Sequence, residues 1–279
     1  MGAYLLTNQG IVAEDTVLYP YQERGLQFGD GIYEVIRVYQ GEPYLISLHL
    51  DRLYRSAEAI KLRMPIEREQ LHKQLLVLLE QNEVDHDGSI YLQVTRGSAK
   101  RLHLFPDCEP NFYAYTDALP RPLANLKNGV KAITHKDIRW HYCYIKSLNL
   151  LPNVLAKQAA AEQGAFDAIF HRDGTVTEST AANVYIIKDH VIYTHPATER
   201  ILHGCVRTQL LNLARTDGLV IEERAFTLEE MLTADEVFLT SSGIEVLPVV
   251  QIDGDQIGSG VPGLVTRRLQ HLYDLDAGL

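Results

Sequence analysis

The chain has 279 residues, 46% of them apolar and 22% charged, with a formal net charge of −10. That apolar content can bury one large core or two modest ones, and the acidic balance disfavours nucleic acid and anionic membranes as partners. Nothing reads as a signal peptide or a membrane span, and Gly2 is no myristoylation signal because Leu6 stands where Ser or Thr is needed.

Strand and helix patterns alternate from the start. Residues 31–39 (GIYEVIRVY) predict a strand, and Gln40-Gly41 turns it into a partner at 43–46. Ser47 reads as the N-cap of a helix whose apolar stripe is Leu50, Leu53, Tyr54, Ala57 and Ile60. A second stripe follows at Leu71, Leu75, Leu78 and Leu79, then strands at 89–95 and 111–115. The Pro-rich stretch 118–128 (ALPRPLANLKN) has no periodicity and is the candidate linker between two domains, 1–120 and 121–279. Beyond it, strands are expected at 130–134 and 165–171, a hairpin turn at Asp173-Gly174, and strands at 183–187 and 191–194. A helix over 206–217 stops at Gly218, Thr227-x-x-Glu230 has capping-box spacing, strands cover 236–239 and 246–252, and a last helix spans 263–274.

Several residues could carry chemistry. Gly204 precedes a helix, whose free N-terminus attracts a phosphate. Thr240-Ser241-Ser242-Gly243 follows a strand and offers hydroxyl and N–H donors. Either segment taken alone reads more readily as an ordinary turn. No nucleotide fingerprint is present, so a bound phosphate would belong to another kind of cofactor. Lys146 interrupts an apolar run, YIKSLNLL. It is either a snorkelling strand-end lysine or a desolvated amine suited to Schiff-base chemistry. Glu178 opens a polar Glu-Ser-Thr turn, where a carboxylate is usually solvated; facing a pyridine nitrogen, it would keep that nitrogen protonated. Metal spacings and a G-x-S-x-G elbow are both missing. Cys108, Cys143 and Cys205 are too scattered for a disulfide framework, and a reducing cytoplasm is expected.

The stretch Glu178-Ser-Thr-Ala-Ala-Asn183-Val-Tyr185, with Leu202-His-Gly204-Cys-Val-Arg207, resembles the signature of the class IV (fold type IV) pyridoxal-phosphate aminotransferases. RGLQFGDGIYE at 24–34, HLDRL at 49–53, QVTRG at 93–97 with Arg101-Leu-His103, and IKSLNL at 145–150 extend the resemblance along nearly the whole chain, most of all to the D-amino acid branch. The resemblance implies a two-domain α/β fold with mixed sheets, the C-terminal domain binding pyridoxal 5'-phosphate. It implies that Lys146 bears the cofactor and moves the substrate proton, and that Glu178 pairs with the ring nitrogen. It gives the phosphate to Arg52, to the N–H groups of Cys205 and Val206 and to Ser242, and it packs Leu202 on the ring. It gives the substrate carboxylate to Tyr33, Arg101 and His103, the last two from the neighbouring subunit of a homodimer. The implied reaction exchanges amino groups between D-alanine and 2-oxoglutarate. An aminodeoxychorismate lyase, a branched-chain L-amino acid aminotransferase and a non-catalytic dimeric binding protein are the alternatives. Val206 stands where relatives offer a Thr hydroxyl, Ala181 and Ala182 replace hydroxyl residues, and Cys205 replaces an aliphatic one.

Overall fold

The computed structural model describes residues 3–16 and 20–279; Gly2 therefore lies outside the described residues. The chain forms two compact units, residues 1–120 with 145–149, and residues 121–144 with 150–279.

The first unit runs β1 (Tyr4–Thr7), β2 (Gly10–Ala13), α1 (Arg24–Phe28), β3 (Gly31–Tyr39), β4 (Glu42–Pro43), α2 (Ile46–Ala59), α3 (Arg68–Gln81), β5 (Gly88–Thr95) and β6 (Asn111–Ala118). Its strands form one antiparallel sheet in the order β2-β1-β6-β5-β3-β4. Side chains on successive strand residues alternate between faces. One face presents Ile32, Ile36, Ile90, Leu92, Val94 and Ala114, all buried, as are Leu50, Leu53, Leu71, Leu75 and Leu78 of the two helices. The other face carries Tyr33, Tyr91, Tyr113 and Tyr115, whose rings stack in sequence. The expected turn at Gln40-Gly41 is present, with both residues at positive φ, but its second strand ends at Pro43. The helix after it starts one residue before Ser47, behind Leu45 at φ 57, so Ser47 is not the cap. A left-handed Leu costs energy, and that cost is the local consequence of turning directly from hairpin into helix.

The second unit comprises α4 (Leu123–Asn128), β7 (Val130–Lys136), α5 (Leu151–Glu162), β8 (Asp167–Arg172), β9 (Thr175–Ser179), β10 (Asn183–Lys188), β11 (Val191–Thr194), α6 (Cys205–Thr216), β12 (Val220–Glu223), α7 (Leu228–Leu232), β13 (Glu236–Ser241), β14 (Glu245–Ile252), β15 (Asp255–Gln256) and α8 (Leu264–Ala277). The stretch 123–128, read from sequence as part of a linker, is helical. The sheet runs β12-β11-β10-β13-β14-β7-β8-β9, and β9 pairs back onto β10, which closes six strands into a ring. Val130, Ala132, Ile169, Val176, Val184, Ile186, Val237, Leu239, Leu247 and Val249, drawn from all six, pack into one buried cluster. β7, β8 and β14 run parallel, and the other ring pairs are antiparallel. The ring's seam is one pair of residues, Glu178 opposite Asn183.

Candidate active site

Lys146 belongs to the segment 145–149, which the fold returns to the first unit. Its carbonyl accepts from the Tyr33 N–H at 3.0 Å, Leu148 N–H donates to the Gly31 carbonyl at 3.0 Å, and Ser147 bridges Ile32. The lysine is thus tied to the first residues of β3. Gly31 permits this approach: a Cβ there would lie 2.6 Å from the Val94 carbonyl oxygen and 2.7 Å from a Leu148 methyl. The Lys146 N–H donates to Ser56 Oγ at 3.3 Å, and its ammonium sits 4.3 Å above the Tyr33 ring, a cation–π contact. The structure therefore brings Lys146 and Tyr33 together.

Arg52 departs from the exposed cation that its place beside an apolar stripe suggests. It is buried and forks onto Glu34, with Nε to Oε1 and Nη2 to Oε2 both at 2.7 Å, while His49 Nδ1 lies 2.7 Å from Glu34 Oε2. Burial pushes the Glu34 pKa up, but the charges and hydrogen bonds of Arg52 and His49 outweigh it and hold the pKa at about 2. Sequence reasoning missed Glu34 and His49. The signal was there: Glu34 shares its strand phase with Ile32 and Ile36, both fully buried, so a carboxylate at that phase needs partners. Arg101 and His103 lie in the exposed loop between β5 and β6, gathered round the Phe28 ring at 4.8 and 5.7 Å.

In the second unit, Glu178 is not a solvated turn residue. It is the penultimate residue of β9, only 4% exposed. Its Oε1 accepts from Arg139 Nη1 at 2.5 Å, and its Oε2 accepts from the Leu202 N–H at 2.9 Å and Asn183 Nδ2 at 3.3 Å. A carboxylate offers about four acceptor positions, and three are used here, so one remains for a ring N–H. Arg139 is itself aimed by Asp137 through Nε and Nη2, both at 2.9 Å. Sequence reasoning missed Asp137 and Arg139, because a loop Asp-x-Arg gives no sign of which strand end it will reach. Beyond Glu178 the turn closes without help from Ala181 or Ala182 side chains. The Ser179 N–H donates to the Ala182 carbonyl at 2.7 Å, and the Ala182 N–H donates to Ser179 Oγ at 3.1 Å.

Asn183 links this carboxylate to α6. Its Nδ2 also donates to the Leu202 carbonyl at 2.8 Å, and a Cβ on Gly204 would lie 2.2 Å from its Oδ1. Only glycine fits there, and it leaves the first turn of α6 without a side-chain cap. The N–H groups of that turn, those of Cys205 and Val206, are the donors a phosphate needs. Both side chains are buried, so Val206 packs as an apolar residue. Ser242 occupies the turn that joins β13 to β14. Among the described residues, no group of three or more His, Cys, Asp or Glu side chains converges as a metal site.

The dry carboxylate, the uncapped helix and the tethered lysine fit the amino-group-transferring enzymes, and the sequence places this chain among them. The profile described as amino-transferase class IV matches residues 31–252, and the chain belongs to that family, on the mixed α/β architecture of fold type IV. It is 47% identical to the D-alanine aminotransferase of Bacillus licheniformis over 95% of this chain and 94% of that one. It is 43% identical to the D-alanine aminotransferase of Staphylococcus aureus strain N315, over 97% and 96%. The fold is shared with the branched-chain amino acid aminotransferase of Thermobaculum terrenum, solved in its PLP-bound form, at a TM-score of 0.91, 24% identity, and coverage of 99% and 94%.

Proposed function

We propose that this chain is a pyridoxal-phosphate-dependent D-amino acid aminotransferase that exchanges amino groups between D-alanine and 2-oxoglutarate. The observation that carries the cofactor assignment is Glu178: a buried carboxylate, fixed by three donors, with one acceptor position left. The choice of D-alanine is supported by relatives of that activity at 47% and 43% identity over nearly the whole chain. When bound, the cofactor supplies an electron sink for the bond broken at the substrate α-carbon.

The protein's residues do the rest. Lys146 would hold the cofactor through its side-chain amine and, once the substrate amine has displaced it, would carry the proton to and from the substrate α-carbon. Glu178 favours the protonated ring nitrogen, because opposite charge stabilises the ionised form. Arg52 and the N–H groups of Cys205 and Val206 would bind the phosphate, joined by Ser242, and Leu202 would pack on the ring. Arg52 turns its Nε–Nη2 edge to Glu34, so that carboxylate orients the guanidinium. Tyr33, Arg101 and His103 orient the substrate carboxylate, the last two from the partner subunit of a homodimer. No helix among the described residues is long and apolar enough to cross a membrane, and we place the enzyme in the cytoplasm.

The test is a half-reaction. Purified holoenzyme is mixed separately with D-alanine, L-alanine and L-leucine while the cofactor absorbance is followed. Bleaching by D-alanine alone is expected, with loss of that response in Lys146→Ala. Faster bleaching by L-leucine than by D-alanine would refute the D-amino acid assignment, and full turnover by Lys146→Ala would refute the role of the lysine.

A further inference from the structure

The pair Arg101 and His103 is carried by a loop whose shape is set by the segment around α1. Gln22–Arg24 runs beside 97–99: the Arg24 N–H donates to the Gly97 carbonyl at 3.0 Å, the Ala99 N–H donates to the Gln22 carbonyl at 3.2 Å, and Glu23 bridges Ser98. Arg24 then reaches further. Its Nη1 donates at 2.7 Å to the carbonyl of Leu102, the residue between Arg101 and His103. Its Nε donates to Asp30 Oδ2 at 2.8 Å, and its guanidinium lies 4.7 Å over the Phe28 ring. Asp30 also accepts from Arg96 Nε, at 2.9 Å on the same Oδ2 and 3.1 Å on Oδ1, and Arg96 is anchored to the carbonyls of Ile60 and Lys61 at 2.8 and 2.9 Å. Phe28 closes the arrangement, with Arg101 at 4.8 Å from its centroid and His103 edge-on at 5.7 Å.

We infer that Arg24 and Phe28 are positioning residues for the substrate carboxylate. An arginine in an exposed loop samples many rotamers, and immobilising it during substrate binding costs affinity. Here Arg24 fixes the backbone between the two carboxylate-binding side chains, and Phe28 restricts the side chains themselves. Arg24 is 3% exposed, so its fork is committed to Asp30 and Leu102 and not to solvent. The inference rests on the proposed role of Arg101 and His103.

The experiment compares wild-type holoenzyme with Phe28→Leu, Arg24→Lys and, as reference, Arg101→Ala. Each is mixed with D-alanine and with D-alaninol, which has a hydroxymethyl group in place of the carboxylate. Phe28→Leu and Arg24→Lys are expected to raise the half-saturating D-alanine concentration about tenfold, as the loss of one cation–π or charge-assisted contact would. The second-order rate with D-alaninol should stay unchanged. Amide hydrogen exchange over 100–104 in the substrate-free protein should quicken in both variants. Unchanged D-alanine saturation in both, or an equal fall for the two substrates, would overturn the inference. Phe28 is only half-buried, so Phe28→Leu keeps the test open if Arg24→Lys does not fold. An Arg101→Ala variant with wild-type D-alanine saturation would instead overturn the carboxylate role on which the inference stands.

Discussion

At the scale of single residues, the dominant fact is how few of the charges near the assigned cofactor residues act alone. Glu34 is fully buried, and its pKa of about 2 lies below the ordinary 4.5. A depressed carboxylate means that the unfolded chain binds more protons between those values, so stability rises with pH across that window. The contribution is complete above about pH 4.5 and lost as pH falls towards 2, and it is on the order of 3 kcal/mol. Glu34→Gln is expected to lower stability at pH 7 by roughly 3–5 kcal/mol, since it leaves Arg52 buried beside a neutral amide. Urea unfolding against pH checks this: the gap between wild type and variant should narrow below pH 4.5, and a constant gap would refute it. Lys146 stands out in the sequence because it interrupts an apolar run, Gly204 because it precedes a helix and Glu178 because it opens a polar turn, whereas Arg52 comes from the family resemblance alone. Their partners do not stand out. Nothing in the spacing tells Glu178 that Arg139 will meet it from the end of another strand.

Among the elements, local chemistry and structure agree best where the interaction is short-range. The capping box at α7 forms as its spacing predicts, with the Glu230 N–H donating to Thr227 Oγ1 at 3.1 Å and the Thr227 N–H donating to Glu230 Oε2 at 2.8 Å. Thr227→Ala should therefore cost about 1 kcal/mol in chemical denaturation and leave aminotransferase turnover unaltered. The Asp173-Gly174 turn takes the positive φ angles its residues favour, and β3 spans the predicted residues 31–39. The failures are also physical. β1, β2 and β12 are four residues each, and the sequence reading has no strand at any of them. α5 shows little apolar periodicity: Leu151, Val154 and Leu155 are exposed, while only Ala156 and Ala160 are buried. The segment 123–128 hides a helix behind Pro120 and Pro122, because a proline at or just before a helix start is compatible with the helix beyond it.

At the scale of the whole molecule, the proposed homodimer makes a prediction of its own. If Arg101 serves the partner's site, Arg101→Ala and Lys146→Ala chains should each be inactive, yet regain activity when mixed. Each mixed dimer then has one intact site, giving about a quarter of wild-type activity after random re-association of equal amounts. Mixed dimers without any recovery would show that the two residues act within one chain. By itself the sequence determined the family, the alternation of strand and helix and the residue types available for chemistry, because motifs and periodicity are local properties of the chain. Only the tertiary structure decided that 145–149 returns to the sheet of the first unit, that Glu178 sits at the seam of a closed ring of strands, and that Arg52, Arg24 and Arg139 are each committed to a carboxylate. Those are pairings between residues far apart in sequence, and burial makes them decisive: away from water, a charge has to find its opposite wherever the fold provides one.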